Sequence, residues 1–195
     1  MVPRKSAKPY HHGELAPSLR KVALAILEEE GLAALSLRSV ARRAGVSHAA
    51  PYRHYPSREA LLADVAMEGL AGLRAELAQA AAAPGDRLDR IVGIGGAYLR
   101  FASRHAGLLR LMFGPELPNR NDYPGLAEAT AGIGEDLGIA LGDAAAGLAV
   151  WAAMHGLAIL ILENVIDLGQ KEGGLTVAPS RAEILLRSLV ELLRD

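Results

Sequence analysis

The fold is decided by residues 35–65, LSLRSVARRAGVSHAAPYRHYPSREALLADV, in which three helix starts follow one another closely. Ser36 is a favourable N-cap and Gly45 a favourable helix stop, so a short helix is predicted between them. A second short helix is predicted over residues 48–54, and Ser57 then caps a long helix. A helix, a glycine turn and a short capped helix are typical of a helix-turn-helix motif.

Outward from this stretch, apolar residues recur at helical spacing along most of the chain. An amphipathic helix precedes the motif and ends at Gly31, and the long helix after it runs to about Ala82. Further helices are predicted at about 86–103, 104–113, 125–141, 143–167 and 180–195. We therefore predict an all-α fold of about nine helices and no strand.

The composition agrees with helices and excludes several kinds of chemistry. The chain has 195 residues, of which 51% are hydrophobic and 22% charged, which suits one or two soluble globular units. It has no cysteine, which excludes disulfides, thiolate nucleophiles and cysteine zinc sites. The start, MVPRKSAKPYHH, has no apolar segment and is predicted to be a basic arm rather than a signal peptide.

Charge is unevenly distributed along the chain. Residues 1–60 hold ten Lys and Arg against five acids, whereas the remaining residues hold eleven against seventeen. A basic end on an acidic body indicates a polyanionic partner for one part only, and an ordinary solvated surface is the alternative.

Residues 144–162 contain no Asp, Glu, Lys or Arg and are long enough to span a bilayer. Acidic residues at both ends and His155 in the middle argue against a membrane span. We predict a helix buried in the core or in a subunit interface, where Gly147, Ala152 and Gly156 allow close approach of a second copy.

The chemistry of the motif suits DNA. The second short helix begins with small residues, so its backbone can approach the floor of a major groove. Phosphates or bases can be bound by Tyr52, Arg53, His54 and Tyr55, and the arginines of the preceding helix add positive charge. A plain helical hairpin with a solvated basic face is the alternative.

In order, the patterns A-x-x-A-G-V-S, Y-x-H-Y and S-R-E-A-L-L resemble the DNA-binding domain of the tetracycline-repressor (TetR) family, over residues 11–72. In that family the second and third helices form the motif and the third reads bases. The resemblance implies groove-facing roles for Ser47, His48, Ala49 and Pro51. It implies contacts to the DNA backbone for Ser36, Arg38, Tyr52, His54, Tyr55 and Arg58.

The C-terminal part carries a second, looser resemblance. VWAAMHGLAIL at 150–160 and HAGLLRLMFGPEL at 105–117 resemble the subgroup of that family named for its Trp-His-Gly motif. This implies an effector-binding and dimerising helical domain over residues 80–195.

A mainly apolar ligand pocket is predicted where aromatic residues and methionines concentrate. His155 follows Trp151 by one helical turn and is the proposed polar anchor, with Tyr98 as a possible second. The alternative for His155 is a bond to a neighbouring carbonyl that locks helix packing, and for the others a plain core position. The candidate set is Tyr98, Phe101, Met112, Phe113, Trp151, Met154 and His155.

These features together predict a cytoplasmic, homodimeric transcriptional regulator, a repressor of a palindromic operator in double-stranded DNA that a small, largely apolar effector releases. No enzyme activity, cofactor, metal or membrane partner is expected, since no nucleotide-binding, metal or nucleophile motif is complete. Two alternatives stay open: a DNA-binding regulator without an effector, and a helical ligand carrier or enzyme that does not bind DNA.

Overall fold

The computed structural model describes residues 15–166 together with Ile184, Arg187 and Ser188, and all regular elements in them are helical. The all-α prediction is confirmed. The α-helices are α1 (Leu15–Glu30), α2 (Leu37–Ala44), α3 (Arg58–Ala81), α4 (Arg87–Arg104), α5 (Ala106–Phe113), α6 (Leu126–Leu141) and α7 (Ala144–Leu162). Single turns of 3₁₀-helix lie at Leu32–Ala34, Pro51–Arg53 and Arg120–Asp122.

The count of about nine helices is slightly too high for the described residues, which contain seven α-helices. The short helix predicted over 48–54 is instead a turn followed by one 3₁₀ turn. Pro51 has no N–H for an α-type bond, and the bonds around it are mostly of the tighter kind, such as His54 N to Pro51 O at 2.9 Å. The helix predicted from residue 180 lies outside the described residues, apart from three isolated helical positions.

The chain divides into two compact units within α3, the first ending at Val65 and the second beginning at Ala66. The predicted limits of 11–72 and 80–195 remain predictions. In the first unit α1 packs on α2 through buried apolar residues of both helices. A capping box between Ser36 and Ser39 starts α2, and Gly45 ends it in the left-handed region at φ 68°.

The second unit contains a close packing of α6 against α7. A Cβ atom on Gly147 would lie 2.2 Å from the backbone nitrogen of Gly138, so only glycine permits this approach. The prediction that Gly147 serves contact with a second copy is therefore wrong, because its space is filled within the chain. Gly156, by contrast, has no atom near the position of a Cβ among the described residues.

One face of α7 is left exposed by the residues that the structure describes. Only 33% of its apolar window is buried, and Leu148 and Leu160 are 58% and 42% exposed. Ala152 and Gly156 on the same face are also exposed. With a mean hydropathy of 2.0, α7 is the one helix of the described residues with the length and composition to cross a membrane. The described residues therefore do not cover α7 on all sides.

Candidate nucleic-acid interface and ligand site

An exposed segment follows α2 in the first unit. The left-handed Gly45 turns the chain, and Ser47, His48 and Ala49 are exposed beyond it. Tyr52 and His54 are also exposed, Tyr52 by 52%. We call residues 47–55 the reading segment. Five of the predicted DNA-contact residues therefore lie where a large polar ligand could reach them.

Two predicted contact residues point the other way. Pro51 is buried, and Tyr55 is only 6% exposed. The Tyr55 hydroxyl donates to Oδ2 of Asp64 at 2.6 Å, and burial together with this bond raises the pKa of Tyr55. These positions correct the expected roles of Pro51 and Tyr55, because a buried ring and a committed hydroxyl are not available to a nucleic acid.

Asp64 links the back of the reading segment to α1. Its carboxylate accepts from Nη1 of Arg20 at 3.0 and 3.2 Å as well as from Tyr55. The Tyr55 hydroxyl also lies 3.3 Å from the carbonyl of Ala16. Charge-assisted bonds of this kind are stronger than neutral ones. The cluster of Arg20, Tyr55 and Asp64, here called the clamp, holds the segment from behind.

Ser36 and Arg58 also have structural partners. Oγ of Ser36 accepts from the backbone nitrogen of Ser39 at 3.0 Å as the N-cap of α2. Arg58 donates from Nε to the carbonyl of Leu35 at 2.7 Å and from Nη2 to that of Leu32 at 3.0 Å. Arg58 thus ties down the turn before α2, and its expected contact to the DNA backbone stays a prediction.

Positive charge beside the reading segment comes from exposed arginines. Arg38, Arg42 and Arg53 are exposed and have no acidic partner among the described residues. Arg43 pairs with Glu29 at 2.5 Å and Glu30 at 3.1 Å, which raises the pKa of Arg43, and the two carboxylates offset its positive charge. The resemblance to the family did not identify Arg42 or Arg53 as contact residues. Only their positive charge indicates this role.

The predicted ligand residues of the second unit divide into core and half-buried positions. Tyr98 is fully buried, and Phe101, Met112 and Met154 are at most 3% exposed. Phe113, Trp151 and His155 are half-buried.

Tyr98 and His155 are hydrogen-bond partners of each other. The Tyr98 hydroxyl lies 2.8 Å from Nδ1 of His155, and either imidazole tautomer makes this bond. Burial raises the pKa of Tyr98 and lowers the pKa of His155, so both groups are neutral at pH 7. The ring of Phe113 lies 4.7 Å from that of His155 and 6.0 Å from that of Trp151. The structure thus brings together a ring cluster of Tyr98, Phe113, Trp151 and His155.

A cleft of about 540 Å³ borders this cluster but shares only Trp151 with the predicted set. Its other walls are residues 118–122 and the first turns of α6, including Ala127 and Thr130. A smaller, mainly apolar cavity of about 290 Å³ lies between the end of α3 and α6, closed at one edge by Arg74 and Asp136 at 2.7 Å.

Family models match both parts of the chain. Residues 19–65 match the model described as bacterial regulatory proteins of the tetR family. Residues 91–173 match the model described as a tetracyclin repressor-like C-terminal domain. The narrower Trp-His-Gly subgroup stays a prediction. No match is found among curated protein sequences.

Solved structures share the fold along nearly the whole chain. A Rhodococcus sp. RHA1 protein of unknown function is 30% identical, with a TM-score of 0.70 and coverage of 95% of this chain and 96% of that one. A putative transcriptional regulator from Pseudomonas aeruginosa PAO1 is 17% identical, with a TM-score of 0.69 and coverage of 95% and 92%. A putative TetR-family regulator from Rhodococcus sp. is 17% identical, with a TM-score of 0.63 and coverage of 94% and 100%.

Proposed function

Because this chain belongs to the TetR family of bacterial regulatory proteins, we propose that it is a homodimeric, cytoplasmic repressor that binds a palindromic operator and is released by a small, largely apolar ligand. It is a transcription regulator with an N-terminal helix-turn-helix domain. We assign it no catalytic role.

The observation that carries the DNA-binding proposal is the exposed reading segment held from behind by the clamp. A segment that reads bases must keep its shape while its outer side chains stay free. Tyr55 supplies the inner attachment through Asp64, whereas Tyr52 and His54 stay exposed. The structure of this region thus supports a rigid reading surface.

The proposed contacts follow the exposure of each side chain. Ser47, His48 and Ala49 face the bases. Phosphates are contacted by Arg38, Arg42, Tyr52, Arg53 and His54. Phosphate contacts supply affinity for any sequence, and base contacts supply the preference for one sequence. Ser36, Pro51, Tyr55 and Arg58 hold the segment in place.

The dimer proposal rests on the face of α7 that the described residues leave exposed. Leu148 and Leu160 expose apolar surface, and Ala152 and Gly156 between them leave room for a neighbouring helix. Contiguous apolar surface of this kind marks an interface in a protein that works in water. We place a second copy there, related by a two-fold axis, which matches the symmetry of a palindromic operator.

An effector acts on such a dimer by population shift. It changes the balance between a DNA-binding arrangement and one that does not bind, and it does so only through different affinities for the two. Effector binding is therefore measured as release of the operator.

The test is selection from a genomic fragment library at several salt concentrations. We expect enrichment of an inverted repeat, with the logarithm of affinity falling by about 0.9 per neutralised phosphate for each unit of log salt. His48→Ala should change the preferred bases, whereas Arg38→Ala should weaken binding to all sequences. Absence of any enriched inverted repeat would refute the proposal.

The dimer has its own test. Leu148→Glu places a charge in the proposed interface, and sedimentation should then show a monomer. Glu135→Gln on the exposed face of α6 is the matched surface control and should stay dimeric. A dimer that survives Leu148→Glu would place the interface elsewhere.

A further inference from the structure

We propose that the cleft bounded by residues 118–122, α6 and Trp151 binds a small monocarboxylic acid, and that Arg120 is the residue that recognises its carboxylate. The inference rests on the proposed function, since the acid would be the effector, and it adds a charged group to a ligand otherwise expected to be apolar.

Several arginines of the second unit have acidic partners, whereas Arg120, like Arg90 and Arg100, has none among the described residues. Arg74 pairs with Asp136 at 2.7 Å, Arg104 with Glu76 at 2.5 Å and Arg110 with Glu163 at 2.9 Å. Arg120 forms no ion pair with any residue that the structure describes, and its contact is a long 3.4 Å bond from Nη1 to Oγ1 of Thr130. Arg120 lines the cleft, and its bond to Thr130 engages only one of its five donors.

Partial burial of the charged Arg120 guanidinium is unfavourable for the stability of the folded chain unless an anion binds beside it. Loss of water lowers the pKa of Arg120 from its usual value, yet the group stays charged at neutral pH. A desolvated cation without a counter-charge is destabilising, and a planar carboxylate accepts two parallel bonds from a guanidinium. A bound carboxylate would supply the missing charge.

The remaining walls divide into a polar end and an apolar end. Asn119 and Asn121 flank Arg120 and offer amide donors. Thr130 donates its hydroxyl proton to the carbonyl of Leu126 at 2.7 Å, so its oxygen faces Arg120 as an acceptor. The indole of Trp151 forms the apolar end.

Size and charge limit the acid. A volume of about 540 Å³ falls in the range of small-molecule sites. Asp122 also lines the cleft and repels every negative group of a ligand, and Arg120 supplies the charge to compensate one carboxylate but not two. These features fit a single carboxylate on an apolar or aromatic body and disfavour phosphorylated or dicarboxylic compounds.

Trp151 provides the measurement, because it is the only tryptophan of the chain and lines the cleft. Its fluorescence is titrated with benzoate, cinnamate and octanoate, each against the corresponding neutral amide, and calorimetry repeats each titration. We expect at least one acid to bind about tenfold or more tightly than its amide, the factor that one charged hydrogen bond supplies. Equal affinity of acid and amide throughout, or no saturable binding of any acid by either method, would overturn the proposal.

Variants then assign the effect to Arg120. Arg120→Gln should reduce the affinity for the acid to that for the amide, whereas Arg120→Lys should keep part of it. Arg87→Gln is the matched control, because Arg87 is 56% exposed and lies 3.7 Å from Asp143 outside the cleft. An Arg120→Gln protein with unchanged affinity for the acid would contradict the assignment, and the acid–amide comparison on the unmodified chain does not depend on how the variant folds.

Operator binding is measured separately, without any acid present. If an inverted repeat is bound and no acid binds, the carboxylate inference fails while the proposed function stands. If acids bind with the expected preference and no DNA sequence is enriched, the proposed function fails and the cleft assignment stands.

Discussion

The reading segment and the ring cluster are both built around a tyrosine hydroxyl, but they present opposite surfaces. In the first unit the buried hydroxyl of Tyr55 bonds to Asp64 so that its neighbours can face outward. In the second unit the buried hydroxyl of Tyr98 bonds to His155, and the rings around this bond are half-buried. The comparison shows that a hydrogen-bonded tyrosine can hold an exposed surface in place or fix the packing of a ring cluster. Its role depends on how exposed the neighbouring residues are.

The largest effect is expected at Gly147, where the packing of α6 against α7 leaves no space for a Cβ atom. Gly147→Ala would bring its Cβ to 2.2 Å from Gly138 N and 2.7 Å from the carbonyl of Gly134, all backbone atoms that cannot swing aside. We expect α6 and α7 to separate, at a cost of about 3 kcal/mol in the free energy of unfolding. Denaturant unfolding followed by circular dichroism measures this loss.

Gly93→Ala is the matched control, because the nearest atom to its Cβ would be Ala80 O at 3.9 Å, an ordinary contact. Alanine favours a helix interior over glycine by up to about 1 kcal/mol, so this variant should be as stable as the original or more stable. Equal losses of stability in Gly147→Ala and Gly93→Ala would mean that the close packing of α6 on α7 does not stabilise the second unit.

Much of the fold could be predicted because helix signals are local. Ser36 and Gly45 bound α2 as expected, and Ser57 accepts from the nitrogen of Ala60 at the start of α3 at 3.2 Å. The reading segment was less predictable, since Pro51 replaces an α-helical turn by a 3₁₀ turn. Spacing along the chain identified the segment but not the conformation of its backbone.

The partners of polar groups could not be predicted, because they are set by tertiary contacts between distant residues. Tyr52 and Tyr55 occur in one motif, yet only the position of Asp64 makes Tyr55 an inner residue. Tyr98 and His155 lie 57 positions apart. Arg120 was not noticed in the sequence because three separate segments form its cleft.

Replacing Tyr52 or Tyr55 by Phe tests whether the exposed and the buried tyrosine of the reading segment have different roles. Tyr55→Phe removes the bond to Asp64 and should cost about 1.5 kcal/mol of stability, near the lower limit for a charged hydrogen bond, because Arg20 still holds the carboxylate. DNA affinity of the folded protein should stay unchanged. Thermal unfolding and DNA titration measure the two quantities.

Tyr52→Phe should show the reverse. Its side chain is 52% exposed, so stability should change by less than about 0.5 kcal/mol. Loss of a hydroxyl contact to phosphate should weaken binding to all DNA sequences by about tenfold. If Tyr52→Phe altered only the preferred sequence, the division between phosphate and base contacts would be wrong. If Tyr55→Phe weakened DNA binding at full stability, the clamp would be part of the interface.

The smallest effect concerns the ring cluster and depends on pH. Burial lowers the pKa of His155 in the folded chain from its usual value of about 6.5. Below that pH the unfolded chain binds the proton more readily than the folded one, so this residue lowers the free energy of unfolding as pH falls. His155→Phe removes that dependence but leaves the Tyr98 hydroxyl without its partner. At pH 8 we therefore expect the variant to be less stable by about 1 kcal/mol.

As the pH falls from 8 to 5, the stability of the unmodified chain should decline more steeply than that of His155→Phe, so the difference between them should narrow. Denaturant unfolding of both proteins across this range measures the two slopes, and subtracting them removes the contribution of the other titrating groups. Tyr98→Phe is the control, since it breaks the same bond but keeps the imidazole and should retain the steep slope. If the difference in stability between the unmodified chain and His155→Phe widened towards pH 5, the folded chain would be stabilising the protonated imidazole.

The two possible roles of His155 also predict different responses to effector. If His155 serves packing, folded His155→Phe should still release DNA on addition of effector. If His155 is a ligand anchor, the variant should keep its stability at pH 8 and lose that response.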